Sequence, residues 1–342
     1  MPLVSVAAAE NTALAALKAA GAPDDHARIQ VALLLEAELR GVPSHGLLRL
    51  PHLIQRIANG VADPTTSGAH AWRGQSLLSV DGERGLGPVV ALKALDAVMA
   101  RARETGVAVA AITNSGHIGM LAWYADHVAR AGLVCLALTT SEALVHPWGG
   151  RKAMIGTNPI AIGVPTADRP FVMDTATGVI SMGKVHDYAH RGLPLEAGWA
   201  VDKDGEPTTD AAAAKQGAIS PFGGPKGYAL GLAFELLVAS LTASALGDAV
   251  KGTLDVTEVC NKGDVFIVMD PGQALQAQAL SDYLEAIRTT PPAAGFDAVL
   301  VPGDRALAAR EARLAAGLPV ADEVWTKLRA LAERTPQEET IL

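Results

Sequence analysis

The chain has 342 residues, 49% apolar and 19% charged, with a formal net charge of −8; that is enough length and apolar content for two core-bearing units, and it excludes wholesale disorder. No Lys/Arg run exceeds two residues and aromatics are only 4%, which argues against a nucleic-acid or acidic-membrane partner, since either needs a basic patch. Only Cys135 and Cys260 are present, too few for a disulfide framework, so a reducing compartment is expected.

The N-terminus, MPLVSVAAAENTALAALKAAGAP, lacks the basic stretch of a secretory signal and reads as a strand or turn followed by a helix. Helices are predicted over 9–20 and 24–40, the second opened by Pro23-Asp24-Asp25. Gly41-Val42-Pro43 sets a turn, and a helix follows in LPHLIQRIANG (50–60), where Pro51 fits best in the first turn. This opening is expected to form its own small helical unit. SLLSVDGERG (76–85) alternates like a strand and its turn, and GPVVALKALDAVMARARETG (87–106) is a helix closed by Gly106. VAVAAITNS (107–115) is a buried strand, MLAWYADHVARAG (120–132) a helix and LVCLALTTS (133–141) another strand. Two helix–strand alternations in succession predict an α/β sheet.

From 147 to 227 the texture changes to short strands, Gly and Pro punctuation and longer loops. YALGLAFELLVASLTASALG (228–247) is a nearly all-apolar helix, too broken by Gly and Ser to span a membrane. DVFIVMD (264–270) is a strand, ALSDYLEAIRTT (279–290) a helix, and AVLVPGDRA (298–306) a strand ending in a turn; the chain from 306 on is helical and charged. With no signal segment and no membrane span in view, a cytoplasmic protein is expected.

Gly85-Leu86-Gly87 comes nearest to a dinucleotide fingerprint and fails it: the third Gly is a Val, and no acidic residue closes the next strand. GGPKG (223–227) is not a Walker A loop, yet a Gly-rich loop carrying Lys226 before a helix suits an anion as well as it suits an ordinary capped helix. His186 and His190 have a metal-compatible spacing but no third ligand nearby, and no metal is predicted. In GVPSHGLLRLPH (41–52), Ser44 is a natural N-cap for a short helical segment that puts His45 and Arg49 on one face. An Arg can hold a carboxylate bidentately while a His beside it trades a proton with the C2 oxygen of a 2-oxo or 2-hydroxy acid. Alone, that stretch reads more readily as a solvated turn, with His45 capping it and Arg49 a surface charge. TNSGHIGML (113–121) shifts the balance, because His117 sits between glycines in the loop leaving a buried strand, where ligands collect in α/β sheets.

Seven segments in order, SHGLLRLP (44–51), NSGHIG (114–119), GTNPIAIGVPT (156–166), FVMDTAT (171–177), SMGKV (181–185), GGPKGYAL (223–230) and VPGDR (301–305), make the chain resemble the malate/L-lactate dehydrogenase-like NAD(P)-dependent oxidoreductases. That family is distinct from the Rossmann-type enzymes and includes ureidoglycolate, sulfolactate and diketogulonate dehydrogenases and cyclic-ketimine reductases. The resemblance implies a family-specific, non-Rossmann α/β fold. A helical unit (1–75, joined by 306–342) would stand beside a central cofactor- and substrate-binding domain (76–305), in a homodimer. It implies NAD or NADP as cofactor and a small carboxylate as substrate. Residue by residue, it marks His45 as proton donor with Ser44 beside it, and His117 as a second acid/base candidate that also contacts cofactor. It marks Asp174 as the acid that orients the His and raises its pKa, and Arg49 as the carboxylate contact. Ser141, Asp174, Thr175, Ala176, Lys226, Gly227, Gly303, Asp304 and Arg305 match cofactor-contacting positions. Departures from the pattern are Pro225 before Lys226, Asp304 in place of Glu, and DTAT in place of an Asp-Met pair. A cyclic-ketimine reductase carries the same motifs; a nucleotide-binding relative without turnover is the reading from another class.

Overall fold

The computed structural model describes residues 3–333. Three helices open the chain: α1 (Val6–Ala19), α2 (Asp24–Leu39) and α3 (Leu50–Ala58). Ser5 caps α1 by accepting from the Ala8 N–H, two acidic residues start α2, and Pro51 stands in the first turn of α3. Their apolar faces, among them Leu17, Leu34 and Leu50, close on Leu318, Val320 and Leu328 from the far end of the chain. Each leucine so buried is worth about 2 kcal/mol. Leu3–Val4 pairs antiparallel with Leu318–Pro319 and ties the two ends together.

The central sheet has seven strands: β1 (Ala69–Arg73), β2 (Leu77–Asp81), β3 (Val107–Thr113), β4 (Val134–Thr139), β5 (Ile160–Val164), β6 (Phe171–Thr175) and β7 (Asp264–Met269). They lie in the order β1-β2-β3-β7-β4-β5-β6, and β2–β3 is the parallel pair in an otherwise antiparallel sheet. The alternation of strand side chains feeds two faces. Leu78, Val80, Ala110, Ile112, Ala137 and Phe266 pack under α4 (Gly87–Thr105) and α5 (Leu121–Arg130). Leu138 and Val265, with Val109 and Ile267, face Val238 and Phe234 of a further long helix, Pro225–Thr242. The fold is therefore α/β with a mixed sheet, as the alternating elements predicted.

Three expectations are corrected. The segment 298–306 forms no strand: Val301 instead donates its N–H to the Asp304 carboxylate at 2.9 Å, and a helix starts at Asp304. The long apolar helix runs over 225–242 rather than 228–247, ending where Ala243 turns left-handed at φ 53°. Ala69–Arg73, on the helical side of the expected boundary at 75, is the exposed edge strand of the sheet. Helices Asp304–Ala316 and Asp322–Ala332 account for the helical C-terminal expectation, whose last part, 334–342, lies outside the described residues. Both cysteines are buried and unbridged, and no helix among the described residues is long and apolar enough to cross a membrane.

Candidate active site

Between the helical opening and the ends of the sheet strands lies a cavity of about 1250 Å³. Its wall is made by the 40–49 turn, the loop after β3, the ends of β4 and β6, and the turn at 301–304. That is room for a dinucleotide and a small acid together, beyond the usual range for a lone small ligand.

His45 enters on two successive 3-10 turns, Pro43–His45 and Leu47–Arg49, not on the single Ser44-capped segment expected. Gly46 separates them, because a Cβ there would collide with the Glu38 carboxylate. Glu38 instead accepts the Leu47 N–H at 2.9 Å and starts the second turn. The freed Ser44 hydroxyl lies 2.9 Å from His45 Nδ1, and Arg49 Nε donates to the Ser44 carbonyl at 2.8 Å. Both His45 and Arg49 line the cavity, reached by a bent path rather than along one helical face. Burial, and then the Arg49 charge, push His45 down to about 4. It is therefore a neutral base near pH 7.

His117 stands in the loop between β3 and α5, its ring centroid 5.5 Å from that of His45. The Gly119 N–H donates to His117 Nδ1 at 2.9 Å. A backbone N–H can only donate, so Nδ1 is the lone-pair nitrogen and Nε2 carries the proton. Burial holds this ring well below the usual histidine range, with Arg49, His45 and Lys262 adding to the effect. It is kept neutral, with an N–H donor at Nε2.

Asp174, at the end of β6, opens to the cavity and accepts the Ala122 N–H at 2.7 Å. Loss of surrounding water pushes its carboxyl up to about 6, against that bond and the Arg40 charge. The expected pairing with a histidine is not made: Asp174 holds the first turn of α5, and both histidines are shifted down rather than up.

Ser141, Thr175, Ala176, Gly303 and Asp304 all line the cavity wall. Ser141 Oγ accepts the Thr157 N–H at 3.0 Å, and Asp304 forms a two-point ion pair with Arg288 at 3.0 and 2.9 Å. Lys226, Gly227 and Arg305 do not reach it. Gly227 packs on the Phe222 carbonyl, where no side chain fits, and Lys226 is exposed in the first turn of its helix. His186 borders the cavity without His190. Sequence reasoning missed Glu142, which accepts from the Thr253 and Leu254 N–H groups at 2.9 Å each, and Lys184, whose ammonium lies 4.7 Å from the Trp199 ring centre. It also missed Lys262, a fully buried lysine in the cavity wall, hydrogen-bonded to Asp264. The available signal was a Lys-Gly-Asp run opening an apolar strand, which sets the two charges on one face.

A family model described as malate/L-lactate dehydrogenase matches residues 4–329. The chain is 36% identical over 292 residues to the L-sulfolactate dehydrogenase of Methanocaldococcus jannaschii, covering 84% of each. It is 34% identical to the (2R)-3-sulfolactate dehydrogenase (NADP(+)) of Chromohalobacter salexigens, covering 96% of this chain and 98% of that one. Among solved structures, a dehydrogenase from Sinorhizobium meliloti is similar with a TM-score of 0.93 at 51% identity, over 97% of this chain and 98% of that one. The delta1-piperideine-2-carboxylate reductase of Pseudomonas syringae pvar. tomato is similar with a TM-score of 0.85 at 30% identity, over 97% and 100%.

Proposed function

The chain belongs to the malate/L-lactate dehydrogenase family and is an NAD(P)-dependent oxidoreductase; from that premise we propose that it interconverts a small 2-oxo acid and its 2-hydroxy acid, of the malate, lactate or sulfolactate type. When bound in the cavity, the nicotinamide supplies or takes the hydride at C2. Ser141, Thr175, Ala176 and the 303–304 turn would hold that cofactor, and their hydroxyls and backbone on one wall fit it. Arg49 holds the substrate carboxylate, the pairing its forked donors suit.

The observation that carries the assignment of roles is the Gly119 N–H on His117 Nδ1. To take or give a proton at Nε2, His117 would need a proton on Nδ1 and would lose that bond. It therefore donates a hydrogen bond to the C2 oxygen and steadies the charge that develops there. His45 has no such restriction. With its Nδ1 proton on Ser44, it takes the hydroxyl proton at Nε2 during oxidation and returns it during reduction. A bound carboxylate offsets the Arg49 charge and so raises the His45 pKa from about 4, which lets the ring carry that proton.

One parallel pair in a seven-stranded sheet supports a nicotinamide-binding fold other than the Rossmann type. Among the described residues we assign the helical unit to 3–68 with 306–333, and cofactor and substrate binding to 69–305, with Ala69–Arg73 moved to the sheet it borders. Leu230, Leu236 and Leu237, 41–52% exposed on the 225–242 helix, support a homodimer. Two buried free thiols support a cytoplasmic setting. The piperideine-carboxylate reductase neighbour favours one further reading, reduction of a cyclic ketimine carboxylate by the same residues.

The test follows absorbance at 340 nm with NADH and NADPH in turn, against pyruvate, oxaloacetate, sulfopyruvate and a five- or six-membered cyclic ketimine carboxylate. Oxidation with an oxo acid is the expected result. Oxidation with the ketimine alone replaces the first reading by the second, and silence with tight cofactor binding removes both.

A further inference from the structure

Lys262 precedes β7 and reaches the cavity wall, while its partner Asp264, the first residue of that strand, lies behind it and does not. The two side chains are 2% and 1% exposed. The Thr139 hydroxyl donates to the same oxygen, Asp264 Oδ1, and so fixes the acceptor that holds the ammonium in place. An ammonium has three N–H donors. Asp264 Oδ1 takes one, and no other acceptor for Lys262 occurs among the described residues. Two donors on a buried charge are thus left for something in the cavity, and leaving them unmet carries a desolvation penalty.

The surroundings indicate the sign of that something. Elsewhere on the wall Arg40 and Arg130 bind Asp126, Arg169 binds Glu311 and Arg288 binds Asp304, while the exposed Lys184 ammonium lies over the Tyr188 and Trp199 rings. At the histidine end the formal cations acting on His117 are Arg49 and Lys262, and the one carboxylate felt by Arg49, Glu142, is already held by the Thr253 and Leu254 N–H groups. Arg49 accounts for one negative group. We propose that Lys262 is a specificity-determining residue that receives a second anionic group of the substrate, a carboxylate or sulfonate beyond C2, so that the cavity prefers dianionic 2-oxo acids to monoanionic ones. This rests on the 2-oxo acid reading above.

The test compares the wild type with Lys262→Met and with the double variant Lys262→Met/Asp264→Asn, which avoids leaving a lone buried carboxylate. Cofactor affinity and thermal melting serve as checks on folding. The readout is the ratio of kcat/KM for oxaloacetate and sulfopyruvate to that for pyruvate, at saturating cofactor. The ratio is expected to exceed one in the wild type and to fall roughly 10- to 100-fold in both variants, as for loss of a hydrogen bond to a charged group. An unchanged ratio overturns the proposal, as does an equal loss on every substrate with weakened cofactor binding, which would put Lys262 on the cofactor. If the wild type reduces none of the three, the 2-oxo acid reading fails separately. Thermal shifts with malonate against acetate in the presence of NADH then decide Lys262: a malonate preference lost in the double variant supports it, and one retained overturns it.

Discussion

Two histidines with ring centroids 5.5 Å apart do different work because of what touches their Nδ1 atoms, a hydroxyl for His45 and a backbone N–H for His117. His45→Ala is expected to lower turnover about 10²- to 10⁴-fold, the usual worth of a placed acid or base. In hydroxy-acid oxidation, kcat/KM should rise as pH climbs through about 4 and be level by about 6. His45→Ala removes that limb. His117→Phe loses about 10²- to 10³-fold through the missing donor yet keeps the limb. The reverse pattern would exchange the two roles. Arg49→Met should cut kcat/KM at least 100-fold by about the worth of a bidentate pair; with the positive neighbour gone, an NMR titration should find the His45 pKa higher. His45, Arg49 and His117 were legible because each stands in a short polar stretch bounded by Gly or Pro, with little packing to explain it. Lys262 was not, because its meaning depends on Asp264 and Thr139, and Thr139 comes from a strand 125 residues earlier than Asp264.

At the scale of elements, what positions His117 is the close approach of a helix start to its loop. A Cβ on Gly87, the first residue of α4, would run into the Gly116 and His117 carbonyl oxygens. The near-fingerprint at 85–87 thus meets a packing requirement between α4 and the active-site loop. Gly87→Ala is expected to cost about 1–3 kcal/mol by overpacking and to lower kcat with it, because the displaced backbone carries His117. A normal melting temperature with normal kcat would show that the loop yields freely. Local pattern gave the helices and the strands that begin or end near them. It could not give the sheet order, because β7 inserts between β3 and β4 from more than 120 residues away, and nothing local encodes that pairing. AVLV at 298–301 has strand composition without a partner strand, and the Asp304 carboxylate takes its last N–H instead.

For the whole molecule, the site sets how stability answers to acid. Between the ordinary histidine value near 6.5 and the His45 value of about 4, the unfolded chain binds protons that native His45 refuses, and native His117 refuses them as well. Stability contributed by these neutral rings is therefore present above about pH 6.5 and is lost as pH falls towards 4. Asp174 acts in the opposite sense: its native pKa of about 6 lies above the unfolded 3.8, so the folded chain takes up a proton first and gains stability on acidification over that window. Two histidines against one carboxyl leave a net loss of stability as pH falls from 6.5 towards 4. Denaturant melts at pH 7.5, 6.5, 5.5 and 4.5 should show that slope, and His45→Gln with His117→Gln should flatten it. Asp174→Asn should steepen it, since only the opposing group is removed. A wild-type curve already flat across the window would mean that water reaches the cavity well enough to let both rings titrate normally, and the neutral-base role of His45 would lose its electrostatic ground.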